Sequence, residues 1–300
     1  MGKVLAVCIS EKRGTQKKNV EKVRLIENYG LEGDAHAGSW HRQVSLLSYD
    51  RIREFNERGA GVDHGAFGEN LVVEGFDFKS LPVGTRLRCN EVVLEVTQIG
   101  KECHSHCEIY KKMGECIMPT EGIFARVLHG GIIEKGDEME LVSTVVLTVS
   151  DRSAQGIRED QSGPEAVRML EEAGYQVVET RVLPDEKDLL AEEMKKICDE
   201  HQADLILTTG GTGFSMRDWT PEATLEIAHR QVPGISEALR AYSLKITPRA
   251  MLSRGVSVIR EQTLIINLPG SPKAVRENLE YLLSALGHGL DILTGNVTEG

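Results

Sequence analysis

Aromatic residues are scarce in this sequence: six Phe, six Tyr and two Trp among 300 positions. No apolar run approaches the roughly 18 residues needed to cross a bilayer, so a membrane span is not expected. Excess basic charge is also missing. The formal net charge is −11, and residues 1–142 (19 basic, 22 acidic) and 143–300 (16 basic, 24 acidic) are both acidic. The electrostatic footprint of a nucleic-acid binder is therefore lacking, and nucleic acid is not an expected partner. The six cysteines form no C-x2-C pair and no C-x3-C-x2-C run, which excludes a zinc ribbon and an iron–sulfur radical enzyme. Without a regular framework they read as reduced thiols. The apolar stretch within Met1–Ser10 is too short for a signal peptide, and Ala6 stands where a myristoylation site needs Ser or Thr. The expected compartment is the cytoplasm.

The length suggests about two domains under a ~150-residue prior, and the pattern divides near residue 143. Residues 1–142 carry short strand-like segments at Val4–Ile9, Val44–Leu47, Leu71–Val73, Arg86–Cys89, Val92–Gln98 and Met139–Val142, with one helical stretch over Asp50–Arg58. That half is expected to be a mostly β, barrel-like domain. Residues 143–300 alternate strand and helix: Val145–Val149, Glu165–Glu172, Val177–Leu183, Lys187–His201, Leu205–Thr208, Pro221–His229 and Ile235–Leu244. A hairpin Val256–Arg260/Thr263–Asn267 and a helix Lys273–Leu286 follow. Glu261-Gln262 closes the hairpin, although neither residue suits a type I′ turn. This half reads as a three-layer α/β domain with a mixed, mostly parallel sheet.

The chemistry of the second half sits at four strand ends. Thr208-Thr209-Gly210-Gly211-Thr212-Gly213 follows an apolar strand, and Asp218 comes shortly after it. Thr220 is expected as the N-cap of a helix with Pro221 at its first position. The other ends carry Ser150-Asp151-Arg152 with Asp160-x-Ser162-Gly163-Pro164, Leu183-Pro184-Asp185, and Leu268-Pro269-Gly270-Ser271-Pro272-Lys273. Ligands in such sheets bind beyond the strands' carboxyl ends, where glycine turns and helix N-termini meet anions. Each loop taken alone is also an ordinary turn or cap. Four of them on one sheet edge favour a phosphate and metal site.

In these motifs, residues 144–295 resemble the molybdopterin adenylyltransferases, the molybdenum-cofactor family that also includes gephyrin-type G domains. The resemblance implies transfer of AMP from Mg-ATP to the terminal phosphate of molybdopterin, with release of pyrophosphate. It implies catalytic, Mg²⁺-holding roles for Asp185 and Asp218. Phosphate or substrate contacts fall to Ser150, Asp151, Asp160, Ser162, Gly163, Thr209–Gly213, Pro269, Gly270, Ser271 and Lys273. Lys273 either pairs with phosphate or is simply solvated. A homotrimer is implied, and a molybdenum-insertion or acceptor enzyme would be the protein partner. A non-catalytic carrier of molybdopterin is the other reading, and a tungsten pathway is equally compatible.

In the first half, Cys103-His104-Ser105-His106-Cys107 and Cys116 concentrate soft ligands, which suggests sulfur chemistry or a metal held by Cys103, His104, Cys107 and Cys116. Gly33-Asp34-Ala35-His36-Ala37-Gly38, His41-Arg42-Gln43-Val44-Ser45-Leu46, Gly65-Ala66-Phe67-Gly68-Glu69-Asn70-Leu71 and a cysteine soon after Val96-Thr97-Gln98 resemble a MOSC domain, the β-rich module at the C-terminus of molybdenum cofactor sulfurases. The resemblance places Cys103 at that family's characteristic sulfur-carrying or cofactor-metal cysteine. Arg42 and Asn70 become anion contacts, while Asp34 and His36 are alternatively turn and core residues. Molybdenum or another metal at the cluster stays open.

Overall fold

The structure, a computed structural model, describes residues 2–101 and 108–294. The chain forms two compact units that meet in sequence at Leu141/Val142.

The first unit contains strands β1 (Gly2–Ile9), β2 (Lys18–Asn19), β3 (Lys22–Ile26), β4 (Gly30–Leu31), β5 (Val44–Ser48) and β6 (Leu71–Glu74). It continues with β7 (Arg86–Cys89), β8 (Val92–Ile99), β9 (Ile123–His129), β10 (Gly131–Glu134) and β11 (Glu138–Leu141). Its α-helices are α1 (Tyr49–Glu57), α2 (Glu108–Met113) and α3 (Met118–Glu121). Seven strands close into a barrel in the order β11-β7-β8-β9-β5-β6-β1, with β1 returning to β11. Closure removes exposed edges, so neither end strand is left to pair with another chain. All ladders of the barrel are antiparallel except β5–β6. Alternate residues fill the inside (Val44, Leu46, Leu71, Val73, Leu94, Val96). The intervening Leu47, Val72 and Phe124 pack outward against Ile52 and Phe55 of α1 and Met118 of α3. Burial on both faces explains why β5 is buried at every position.

The second unit contains β12 (Ser143–Val149), α4 (Asp151–Ala154), α5 (Ser162–Glu172), β13 (Gln176–Leu183), α6 (Lys187–Asp199) and β14 (Leu205–Thr209). Then come α7 (Thr220–Glu226), β15 (Arg230–Gln231), α8 (Pro233–Leu244), β16 (Ser257–Arg260), β17 (Thr263–Leu268) and α9 (Pro272–Leu293). The sheet order is β13-β12-β14-β17-β16-β15. The first four strands are mutually parallel, and β16 and β15 continue it antiparallel. One face of the sheet (Val146, Leu205, Leu207, Ile266) packs on α5, α8 and α9. The other (Val145, Leu147, Ile206, Ile265) packs on α6 and α7. The period of two along each strand thus builds the three layers. The β16–β17 hairpin turns at Glu261, which takes φ +49° despite being a poor left-handed residue.

One local expectation fails. Thr220 is not an N-cap: it is the first residue of α7, and Trp219 precedes it without a side-chain cap bond. The Thr220 hydroxyl is buried without a partner, and its N–H donates to Gly211 O at 3.2 Å. The N–H of this first helical residue is thereby satisfied by the turn's own carbonyl.

Candidate functional site

Register decides where the motifs meet. Thr148 of β12 lies level with Thr209 of β14, Thr209 with Leu268 of β17, and Val149 with Leu183 of β13. The four parallel strands therefore end together, and their following loops converge at one edge.

Two of these loops are locked by their carboxylates. Asp151 N–H donates to Asp185 Oδ2 at 2.9 Å, and Asp185 N–H donates to Asp151 Oδ1 at 3.0 Å. Arg217 grips both Asp151 oxygens from Nε (2.9 Å) and Nη2 (2.8 Å), which holds the Asp151 carboxyl below the usual carboxylate range. Asp185 is shifted the other way. Burial raises its pKa, and the charges of Asp151 and Asp218 add to that. Asp218 Oδ2 accepts from Ser215 N–H at 2.8 Å.

The glycine turn fits between these acids because Gly210, Gly211 and Gly213 carry no side chains. Gly210 (φ +103°) and Gly211 (φ +63°) occupy the left-handed region. A Cβ at Gly210 would strike Val149 O; one at Gly211 would strike the Thr220 hydroxyl and lie 3.1 Å from Asp185 Oδ1. At Gly213 a Cβ would stand 2.9 Å from Asp218 Oδ2. Gly270 approaches Gly210 Cα so closely that its own Cβ would be 3.0 Å away, and Thr209 Oγ1 donates to Pro269 O at 3.1 Å. Thr212 is buried beside them.

The remaining expected contacts serve mainly the scaffold. Asp160 Oδ1 accepts from Ser162 N–H, Ser162 Oγ and Gly163 N–H, and its Oδ2 accepts from Thr148 Oγ1 at 2.7 Å. Its carboxylate thus closes the start of α5, with Ser162 buried behind it. Ser150 caps α4 by accepting from Ser153 N–H, and Ser271 caps α9 by accepting from Ala274 N–H. Lys273 is solvated, 3.7 Å from Glu277. Beside the turn lies a cavity of about 270 Å³ lined by Thr212, Gly213, Leu239, Asn267, Pro269 and Asn278.

In the first unit a cavity of about 860 Å³ is lined by Lys17, His36, Arg42, Asn70, Lys112 and Cys116, among others. Arg42 stacks on the Trp40 and Phe124 rings (5.0 and 5.5 Å to the centroids), and its Nε is buried without a partner. Asn70 is fully committed. Its amide donates to Cys8 O (3.0 Å) and Asp34 Oδ2 (2.6 Å), and its Oδ1 accepts from Ser45 N–H and Oγ. Asp34 is buried in an ion pair with Lys17 and accepts from His36 N–H at 2.8 Å. Burial alone would raise the Asp34 carboxyl, but these bonds outweigh it and hold it low; burial likewise lowers Lys17. Cys103, His104 and Cys107 lie outside the described residues. Cys116 is half-buried, packed against the Ile52–Phe55 cluster.

Comparison with known proteins matches both halves. Residues 145–288 fit the profile described as "Probable molybdopterin binding domain", and residues 33–140 fit the MOSC domain. The molybdopterin adenylyltransferase of Helicobacter pylori is 44% identical over 163 residues, covering 54% of this chain and 93% of that protein. The chain belongs to the molybdopterin adenylyltransferases. It is a nucleotidyltransferase fused to an N-terminal MOSC domain. The corresponding enzyme of Escherichia coli K12 is 43% identical over 145 residues (48% of this chain, 74% of that protein). Gephyrin of Dictyostelium discoideum is 45% identical over 170 residues, which span 53% of this chain and 24% of gephyrin.

Among the described residues no group of three metal-ligating side chains forms. A Mg²⁺ ion nevertheless fits the adenylyltransferase half, because this ion keeps several waters and takes few protein ligands. Asp185 and Asp218 are close enough to raise the proton affinity of Asp185, a repulsion that a cation would relieve. The orphaned Thr220 hydroxyl adds an unused oxygen beside Gly211. Sequence reasoning missed Arg254. From the loop before β16 it donates to Gly213 O (2.7 Å) and Asp218 O (2.5 Å) and pairs with Glu222. Nothing in Ser253-Arg254-Gly255 distinguishes it from a surface arginine; only the fold brings it to the glycine turn.

Proposed function

We propose that the second half transfers AMP from Mg-ATP to the terminal phosphate of molybdopterin, with pyrophosphate leaving. The attacking phosphate oxygen is already an anion, so no strong general base is required. The chain's task is to bring two anionic groups together and offset their charge. Asp185 and Asp218 would hold Mg²⁺, which supplies electrostatic clamping of the triphosphate. Gly210 N–H is taken by Leu268 O, and the N–H groups of Gly211–Gly213 and of the Gly270-Ser271 turn would face phosphate. The cavity beside Gly213 and Pro269 would receive the pterin ring joined to that phosphate. The observation that carries this reading is the convergence of Gly211 on Asp185 and of Gly213 on Asp218. Production of adenylylated pterin and pyrophosphate by the purified chain tests it. Tight pterin binding without product would instead mean a carrier.

The first half, on this reading, binds the cofactor or carries its sulfur on Cys103. Its cavity presents His36, Arg42, Lys101 and Lys112 against Asp63 and Glu108, a balance that suits an anionic ligand, while Lys17 in its wall is paired with Asp34. The unpartnered Arg42 Nε is the donor best placed for it. Arg42→Ala is expected to weaken pterin-cofactor binding to the isolated site about tenfold or more, and unchanged affinity would remove Arg42 from the role. Anaerobically purified protein containing a stoichiometric metal would favour a metal centre over sulfur carriage. The protein would work as a trimer in the cytoplasm, with a molybdenum-insertion or acceptor enzyme downstream; sedimentation tests the oligomer.

A further inference from the structure

Asp218 sits on a loop with little packing of its own. Between Gly213 and Asp218 the large apolar side chains face solvent, with Phe214 70% and Met216 92% exposed. A side chain from a distant segment supplies what packing does not. Arg254 Nε donates to Gly213 O at 2.7 Å and Nη2 to Asp218 O at 2.5 Å, so one planar group spans both ends of the loop. Nη1 pairs with Glu222 in α7, and Arg254 N–H donates to Thr212 O at 2.9 Å. The fixed fork of a guanidinium sets the separation of the two carbonyls, and with it the approach of the Asp218 carboxylate to Gly213. Within the loop Ser215 N–H donates to Asp218 Oδ2 at 2.8 Å, and the loop's other side-chain tie to a distant segment, Arg217 to Asp151, is exposed.

We propose that Arg254 is the positioning residue for Asp218, clamping the two ends of the catalytic loop so that its carboxylate stays against the glycine turn. The inference rests on the adenylylation reading, since it assigns Arg254 a part in that reaction. A lysine keeps the charge near Glu222 but cannot hold two carbonyls at a set spacing. A misplacement of about 1 Å costs on the order of 10²-fold in rate, so Arg254→Lys is expected to lower kcat by roughly 10- to 100-fold, with KM for ATP and molybdopterin within about threefold of wild type.

The test is single-turnover adenylylation by the full chain as wild type, R254K, E222Q, D218A and the R254K/D218A double variant, below every variant's melting transition. If Arg254 acts through Asp218, R254K has no further effect once Asp218 is gone. E222Q keeps both carbonyl bonds and is expected to stay near wild type. The proposal is overturned if R254K turns over at the wild-type rate, if its effect multiplies fully in the D218A background, or if E222Q loses as much as R254K. An inactive wild-type chain would overturn the adenylylation reading and this inference together.

Discussion

Asp151 and Asp185 each accept the other's backbone N–H, at 2.9 and 3.0 Å, so two loops from neighbouring parallel strands are fixed by a reciprocal pair of carboxylates. Asp185 is thereby aimed at Gly211 while remaining crowded by negative charge. Its acid chemistry follows from that crowding. On the adenylylation reading the ionised form is the useful one, and its pKa is raised above the ordinary 3.8 by burial and then by Asp151 and Asp218. Activity should therefore fall with acid at a pH above that value. Asp151→Asn keeps the Oδ1 acceptor but removes one charge, and should move the acid limb of kcat/KM to lower pH. A limb that stays in place or moves up would contradict the assignment.

Substituting either central carboxylate separates chemistry from binding. Asp185→Ala and Asp218→Ala are each expected to lower adenylyl transfer by about 10²–10³-fold. Molybdopterin affinity, measured by titration, should change little. Parallel loss of both would show that these residues act in binding.

Gly210 tests the turn itself. With φ +103° and Val149 O in the path of a Cβ, Gly210→Ala should destabilise the second unit by about 1–3 kcal/mol. Its melting transition should drop, with that of the first unit unmoved. An unshifted transition would mean the turn relaxes freely.

Much of this arrangement was legible in the sequence. Strand ends, the glycine turn and Asp218 could be read because four loops of small and acidic residues follow apolar strands on one sheet edge, which ordinary turns and caps explain singly but not together. Helical spacing over Lys187–His201 puts Leu190, Met194, Ile197 and Cys198 on one face, and all four are buried in α6. What escaped notice depends on tertiary contact. Strands β3, β9 and β10 carry charged or weakly alternating residues, and tertiary pairing selects them: β9 in the barrel, β3 and β10 in a small separate sheet with β4. Arg254 reaches Gly213 over 41 positions of chain. Asp160 reads as a ligand candidate, and the fold gives its Oδ1 to the start of α5 and its Oδ2 to Thr148 of β12. Thr220 had the composition of a cap, yet the Gly211 carbonyl drew its N–H into the helix start.

A buried acid in the first unit makes its stability depend on pH. Glu69 is fully buried, and burial pushes its pKa from 4.5 up to about 7, against the opposing bonds from Gly65 and Phe67 N–H. The unfolded chain releases this proton first as pH rises. Stability is therefore lost between about 4.5 and 7, by about 3 kcal/mol from this group. Glu69→Gln should flatten that slope in denaturant titrations of the full chain. An equally steep slope in the variant would place the dependence elsewhere.

The most direct test of the central claim is incubation of the purified chain with molybdopterin and Mg-ATP, following adenylylated pterin and pyrophosphate together. The account predicts equal amounts of both products from wild type and about 10²–10³-fold less of each in the same time from Asp218→Ala. Tight pterin binding without pyrophosphate from the wild-type chain would contradict it.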